Sequence, residues 1–195
     1  LAISAAAHAH TQTTTSVKVT PETYIRVETD RQFGEIAQMA GGVNRFYHFR
    51  SPTPLDKQNV VRMNRDTLDS MAVVDTSKGA TITVPELPTD RYASVYLVDN
   101  DHYCPFMIYT AGTHELPKDT KYLALGIRIQ VFNPKAPDEI TLINKLQDQF
   151  VIKANSADPL TEFKWDFQSL RTLTAQYEKD SAQYSNSRRK KDVVS

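Results

Sequence analysis

The 195-residue chain sets 23 Lys and Arg against 23 Asp and Glu, so it lacks the domain-wide positive field that gathers nucleic acid or anionic lipid. Its length suits one main domain with appendages, and its single cysteine, Cys104, rules out an internal disulfide and any cysteine-built zinc site. After the first few residues no stretch approaches the ~18 continuous apolar residues that span a bilayer, so membrane insertion is not expected.

Leu1-Ala-Ile-Ser-Ala-Ala-Ala-His-Ala-His10 runs from apolar into small residues, as the end of a secretory leader does. Residues 1–9 are therefore read as a leader remnant, with Ala7-His8-Ala9 as the cleavage signal, and a periplasmic or secreted product is expected. Cleavage after Ala9 makes His10 the first residue, and cleavage after Ala7 leaves it third behind His8. Either end offers amine and imidazole nitrogens that suit Cu(II), although a chance pair of histidines is the simpler reading. Residues 10–19 are polar and threonine-rich and are expected to form a flexible extension.

Thr20-Pro21-Glu22 combines a cap residue, a proline at the first helical position and an early acid, which predicts a helix start. Ile25, Thr29, Phe33, Ile36 and Ala40 share one stripe, and Gly41-Gly42 supplies a left-handed stop. Residues 43–58 hold Arg45, His48, Arg50, Pro52 and Pro54 without sustained period and read as a loop.

Asn64, Arg65 and Asp66 interrupt the otherwise strand-like stretch 59–76. A buried amide without a partner costs about 2–7 kcal/mol, so these three are expected to bond one another or nearby backbone, with Arg65 buried against Asp66. The same fork suits a ligand carboxylate or carbonyl; the structural reading is the stronger of the two. Arg128 lies on the polar face of a later strand and is expected either to close this network or to meet solvent.

From residue 80 the period is two. Residues 80–84 and 91–98 alternate, and 121–132 does so most clearly, with Leu123, Leu125, Ile127, Ile129 and Val131 on one side. At ~1.5–3 kcal/mol each, those five side chains supply about 10 kcal/mol of gross burial. Turn residues between the strands favour an antiparallel sandwich over crossover helices. Asp138 is expected to cap a helix with Ile140, Ile143, Leu146 and Phe150 on one side, and a third helix is expected from about Asp166 to Tyr184.

Asp99, Asp101 and His102 follow a strand closely enough to suggest metal ligands, but the spacing of a polar turn explains them without an ion. His48 and His114 stand alone and read as packing or surface histidines. The six glycines build no nucleophile elbow, Walker loop or dinucleotide fingerprint, and no cofactor is expected.

Val61-Arg-Met-Asn-Arg-Asp-Thr-Leu68, the Arg91-Tyr92 strand, Asp99-Asn-Asp-His-Tyr103, Ala111-Gly-Thr-His-Glu115 and Leu146-Gln-Asp148 occur in an order that resembles the bacterial domain-of-unknown-function family 1254. The resemblance implies a mainly β, immunoglobulin-like antiparallel sandwich with flanking helices in an exported protein, and no established activity. Two departures stand out. Asp69 occupies a position where members carry tyrosine, and the companion family-1214 domain that commonly follows is expected to be missing here. The domain is placed at 20–155, with 156–195 as a helical connection or tail.

These readings favour a non-catalytic binding or assembly module that docks a partner β domain, a second copy or a small ligand. Whether the chain is an enzyme is left open. An enzyme acting on a small carboxylate- or carbonyl-bearing molecule is the alternative, with Arg65 as the anchor and Asp66 or His102 moving a proton. Copper binding through a mature N-terminal histidine is a second alternative.

Overall fold

A computed structural model describes residues 16–54, 56, 64–88, 90–160 and 164–191. The chain divides into two units, residues 25–161 and residues 1–24 with 162–195. In chain order its elements are α1 (Tyr24–Ala40), β1 (Phe46–His48), β2 (Thr67–Asp75), β3 (Ala80–Val84), β4 (Ala93–Asp99), β5 (Met107–Ile108), β6 (Gly112–Glu115), β7 (Tyr122–Gln130), α2 (Pro137–Gln147), β8 (Val151–Ala154) and α3 (Phe167–Lys191).

The larger unit is mainly β and contains two antiparallel sheets, ordered β1-β2-β7-β4-β5 and β6-β3-β8. The alternation read in 121–132 places Leu123, Leu125, Ile127, Ile129 and Val131 in the core, each at most 5% exposed. They join Leu68, Ala72 and Val74 of β2, Val95 and Leu97 of β4, and Ile82 and Val84 of β3 in one cluster shared by both sheets. Ile143, Leu146 and Phe150 complete it, as the helical spacing predicted.

Tyr122, Ala124 and Gly126 bury part of the second side of β7 as well, because the strand is central and α1 lies over that part. Phe33 packs there against Val73, Tyr122 and Ala124. The face of α1 that does this differs from the expected stripe. Val27, Thr29, Asp30, Phe33 and Ala37 are buried, whereas Ile25 is 59% exposed. Asp30 is tolerated inside because Asn100 Nδ2 donates to its carboxylate at 3.0 Å and Arg26 lies 3.6 Å away, so its charge is met. The helix starts at Tyr24, since Thr20 and Thr23 bond each other instead of leaving Thr20 to cap a helix at Pro21.

Other boundaries shift for local reasons. The expected loop at 43–58 contains β1, too short to show a period, paired through Phe46↔Ala72, Tyr47↔Met71 and His48↔Ser70. The short strands β5, β6 and β8 likewise gave no alternation. Helix α2 begins at Pro137 after Ala136, without a side-chain cap; Asp138 sits inside its first turn beside Glu139.

In the smaller unit Val17 bridges Trp165 in parallel, and Val19 N–H donates to Ser169 Oγ at 2.8 Å. The Tyr24 ring meets Tyr177 edge-on at 4.9 Å.

Candidate functional site

The register of the five-stranded sheet aligns one residue from every strand across the face that α1 only partly covers. Tyr47 is opposite Met71, Met71 opposite Gly126, Gly126 opposite Tyr96, and Tyr96 opposite Met107. Strands about 4.8 Å apart make this row roughly 19 Å long. Alternation puts Val73, Ala124 and Val98 on the same side but one step further along, where α1 packs. On the other flank of the row, Asp69 is opposite Arg128, and Arg128 opposite Ser94. Tyr47 is 37% and Met107 40% exposed, and Met71 and Tyr96 are half-buried.

Gly126 makes the middle of this face possible. A Cβ placed there would lie 2.0 Å from Cε1 and Cζ of Tyr96, so the tyrosine ring lies flat across the glycine. The Arg128 guanidinium stands 5.6 Å from the centre of the same ring, and its Nε is 3.8 Å from Asp69 Oδ2. Thr67 Oγ1 donates to Asp69 at 2.7 Å. Burial nevertheless wins, pushing the Asp69 carboxyl above the ordinary aspartate range against the pull of Thr67 and Arg128. The Tyr96 hydroxyl is raised by burial as well. A groove of about 250 Å³ between α1 and this row is lined by Phe33, Ile36, Met39, Met71, Tyr96 and His102.

Asn64 and Arg65 bond a neighbour and nearby backbone as expected, but the expected pairing of Arg65 with Asp66 does not form. Asn64 Oδ1 accepts the Asp66 N–H at 3.0 Å, and Asn64 Nδ2 donates to Thr67 Oγ1, so the asparagine organises a turn. Arg65, half-buried, donates from Nη1 to the Thr53 carbonyl. Asp66 is exposed and makes no ion pair among the described residues; its backbone carbonyl accepts Val131 N–H at 2.7 Å. The reason is local, since the turn at Asn64 sends Arg65 back to the Thr53 carbonyl and leaves the Asp66 carboxylate exposed. Arg128 joins Asp69 and Tyr96, not Arg65.

His102 bonds Thr29 Oγ1 of α1 through Nδ1 at 2.9 Å, whereas Arg65 bonds the Thr53 carbonyl and Asp66 is exposed, so each of the three residues proposed for proton transfer is directed elsewhere. Asp99 Oδ1 accepts the backbone N–H groups of Asp101 and Tyr103, and Asp101 pairs with Arg26 at 2.5 Å. These carboxylates are thus directed to separate partners. His114 Nε2 bonds the Thr110 carbonyl at 2.9 Å. His8 and His10 lie outside the described residues.

Two buried polar arrangements escaped the sequence reading. His48 Nδ1 bonds Ser70 Oγ at 2.8 Å, and Gln147 Nε2 donates to that same oxygen at 3.1 Å and to the carbonyls of Phe49 and Asp69. Burial holds the His48 imidazole below its ordinary range, with the Arg50 charge adding to the effect. Ser70 is fully buried, and its hydroxyl ties His48 to Gln147 within the core. Second, Arg91 and Glu139 form an ion pair at 2.9 Å with side chains only 5% and 14% exposed. Arg91 also donates to the Gln130 carbonyl and lies 4.5 Å over the Phe132 ring. No local pattern links residues so far apart in sequence. The one available signal for the sheet face was Gly126, a glycine in the middle of the strongest strand.

None of the curated proteins matches this chain. Among solved structures it is similar to the VPA0106 protein from Vibrio parahaemolyticus, with 18% identity and a TM-score of 0.53 over 71% of this chain and 39% of that one. At that identity the likeness is one of fold, and the chain spans about 39% of the Vibrio protein's length. The family suggested by the Val61–Leu68 run and the segments after it is the one found: residues 43–123 match the family described as "Protein of unknown function (DUF1254)".

Proposed function

We propose that this chain is an exported binding and assembly module built on an immunoglobulin-like β-sandwich, and that the uncovered part of its five-stranded sheet pairs with a second copy. The observation that carries this reading is the row Tyr47, Met71, Gly126, Tyr96 and Met107, which presents tyrosine and methionine side chains beside the Asp69–Arg128 pair. Tyrosine, methionine and arginine are enriched where proteins meet. An acid and a base side by side suit a two-fold interface, in which Arg128 of each copy reaches Asp69 of the other. The sandwich reading is supported by the apolar cluster that the two sheets share, and export by the leader-like first ten residues.

The test is a charge swap read by sedimentation velocity. Arg128→Glu leaves two acids at the contact and Asp69→Lys leaves two bases, so each variant alone should dissociate at least about tenfold more readily than the wild type. An equimolar mixture of the two should re-associate. A mixture no heavier than its components contradicts the reading.

A further inference from the structure

The groove of about 250 Å³ between α1 and the row takes its two walls from different elements. Phe33, Ile36 and Met39 share one side of the helix. Met71, Tyr96 and Val98 lie on the side of the sheet that α1 partly covers, because Met71 and Tyr96 both flank Gly126 and Val98 is opposite Ala124. Two thioethers and two aromatic rings around one groove suit a flat aromatic guest, whose edge methionine sulfur contacts favourably. The groove exceeds the ~150 Å³ that holds benzene and falls short of the ~300 Å³ at which pockets for drug-sized ligands begin, so one substituted ring fits.

His102 also lines the groove and supplies its polar group. Thr29 Oγ1 lies 2.8 Å from the Ile25 carbonyl, which can only accept, so the single hydroxyl proton is committed there. The 2.9 Å bond between Thr29 Oγ1 and His102 Nδ1 therefore takes its proton from the imidazole. A neutral His102 is held as the Nδ1–H tautomer, which leaves Nε2 an acceptor without a partner among the described residues. With Nδ1 turned to α1, the opposite edge of the ring, Nε2 included, is what an occupant can meet. Charge narrows the guest further. Among the described residues no lysine or arginine lines the groove, and Glu35, which does, already has its charge met by Arg31. A carboxylate would find no cation there, and an ammonium no unpaired acid. We infer that this groove binds a small neutral phenol, its hydroxyl donating to His102 Nε2 and its ring lying between Ile36 and Met39 of α1 and Met71 and Tyr96 of the sheet. The inference stands whether or not two copies pair.

NMR of the whole chain tests it, with phenol as the probe and two readouts, the His102 ring nitrogens and the Met71 methyl group. At about pH 8, where imidazoles are neutral, Nε2 should be the unprotonated nitrogen of the free chain, and phenol should shift both signals saturably. Toluene, which lacks the hydroxyl, should bind about fivefold more weakly, and benzoate and benzylamine more weakly still. His102→Gly accepts the same left-handed backbone, φ 67°, and removes the acceptor, so it should bring phenol down to the toluene level. Ile36→Trp and Met39→Trp each fill the groove from its helical wall and should abolish binding while the amide spectrum keeps its dispersion. A Met71 response that fails to saturate, persists in both tryptophan variants, or favours phenol over toluene by less than twofold overturns the proposal. A protonated Nε2 in the free chain, or a preference for benzoate or benzylamine, overturns the assignment of a neutral donor.

Discussion

Arg91 and Glu139 meet in a two-pronged contact, Nη1 to Oε1 at 2.9 Å and Nη2 to Oε2 at 3.3 Å, that ties the start of β4 to the first turn of α2. Every other ion pair among the described residues keeps at least one side chain 37% or more exposed. Glu139 also accepts the Phe132 N–H at 2.9 Å, so one carboxylate fixes the chain leaving β7, the helix and the strand together. Removing one partner of a buried pair leaves the other charged and unmatched. Arg91→Ala is expected to lower stability by about 3–5 kcal/mol in chemical denaturation. A loss below about 1 kcal/mol would show that the pair contributes no more than a surface contact.

Asp66→Ala, by contrast, should change stability by no more than about 0.5 kcal/mol, because the carboxylate is exposed and the backbone carbonyl makes the contact with Val131. The same denaturation curves check it. A large loss would mean that Asp66 holds Arg65 after all.

Acid should act in two steps. Burial lowers the His48 imidazole, so the folded state binds that proton less readily than the unfolded chain does. Its contribution is complete above the ordinary histidine value of about 6.5 and is lost as the pH falls below it. The Arg91 guanidinium, and less strongly the Phe132 N–H, hold Glu139 below the glutamate range, so that contribution is lost only below about pH 4.3. Asp69, raised by burial, acts with the opposite sign and favours the fold as it takes up a proton. Melting temperature against pH should lose its upper step in His48→Gln and its lower step in Glu139→Gln. A profile unchanged by both substitutions would contradict these assignments.

Gly126→Ala should cost about 1–3 kcal/mol, since the new methyl group occupies the space of the Tyr96 ring. In a Tyr96→Ala background the same substitution should cost nothing, because the clash is gone and alanine suits a strand better than glycine. An equal cost in both backgrounds would place the strain in the backbone and not in the ring. The double-mutant comparison therefore tests the geometry of the face directly.

What could be read in advance depended on the range of each interaction. The β7 core needs only alternation within ten residues, and Ile127 and Ile129 are where that alternation puts them. Ile143, Leu146 and Phe150 follow from helical spacing in the same way. Strands β1 and β5 have three and two residues, too few for any period, and exist because β2 and β4 offer them an edge. The buried guanidinium and carboxylate are Arg91 and Glu139, not the sequence neighbours Arg65 and Asp66, and they come together only when α2 returns to the sheet. Asp69, read as a departure from an aromatic, gains its meaning from Arg128 on the adjacent strand.

Sedimentation equilibrium of the wild-type chain alongside Met71→Asp tests the binding face most directly, since Met71 lies beside Gly126 in the row and its change spares both Arg91–Glu139 and the shared core. The wild type should approach twice the 22.1 kDa chain mass with rising concentration, while Met71→Asp stays at 22.1 kDa. A wild type that remains at 22.1 kDa throughout, or a Met71→Asp variant that associates equally well, would contradict the assignment of this face.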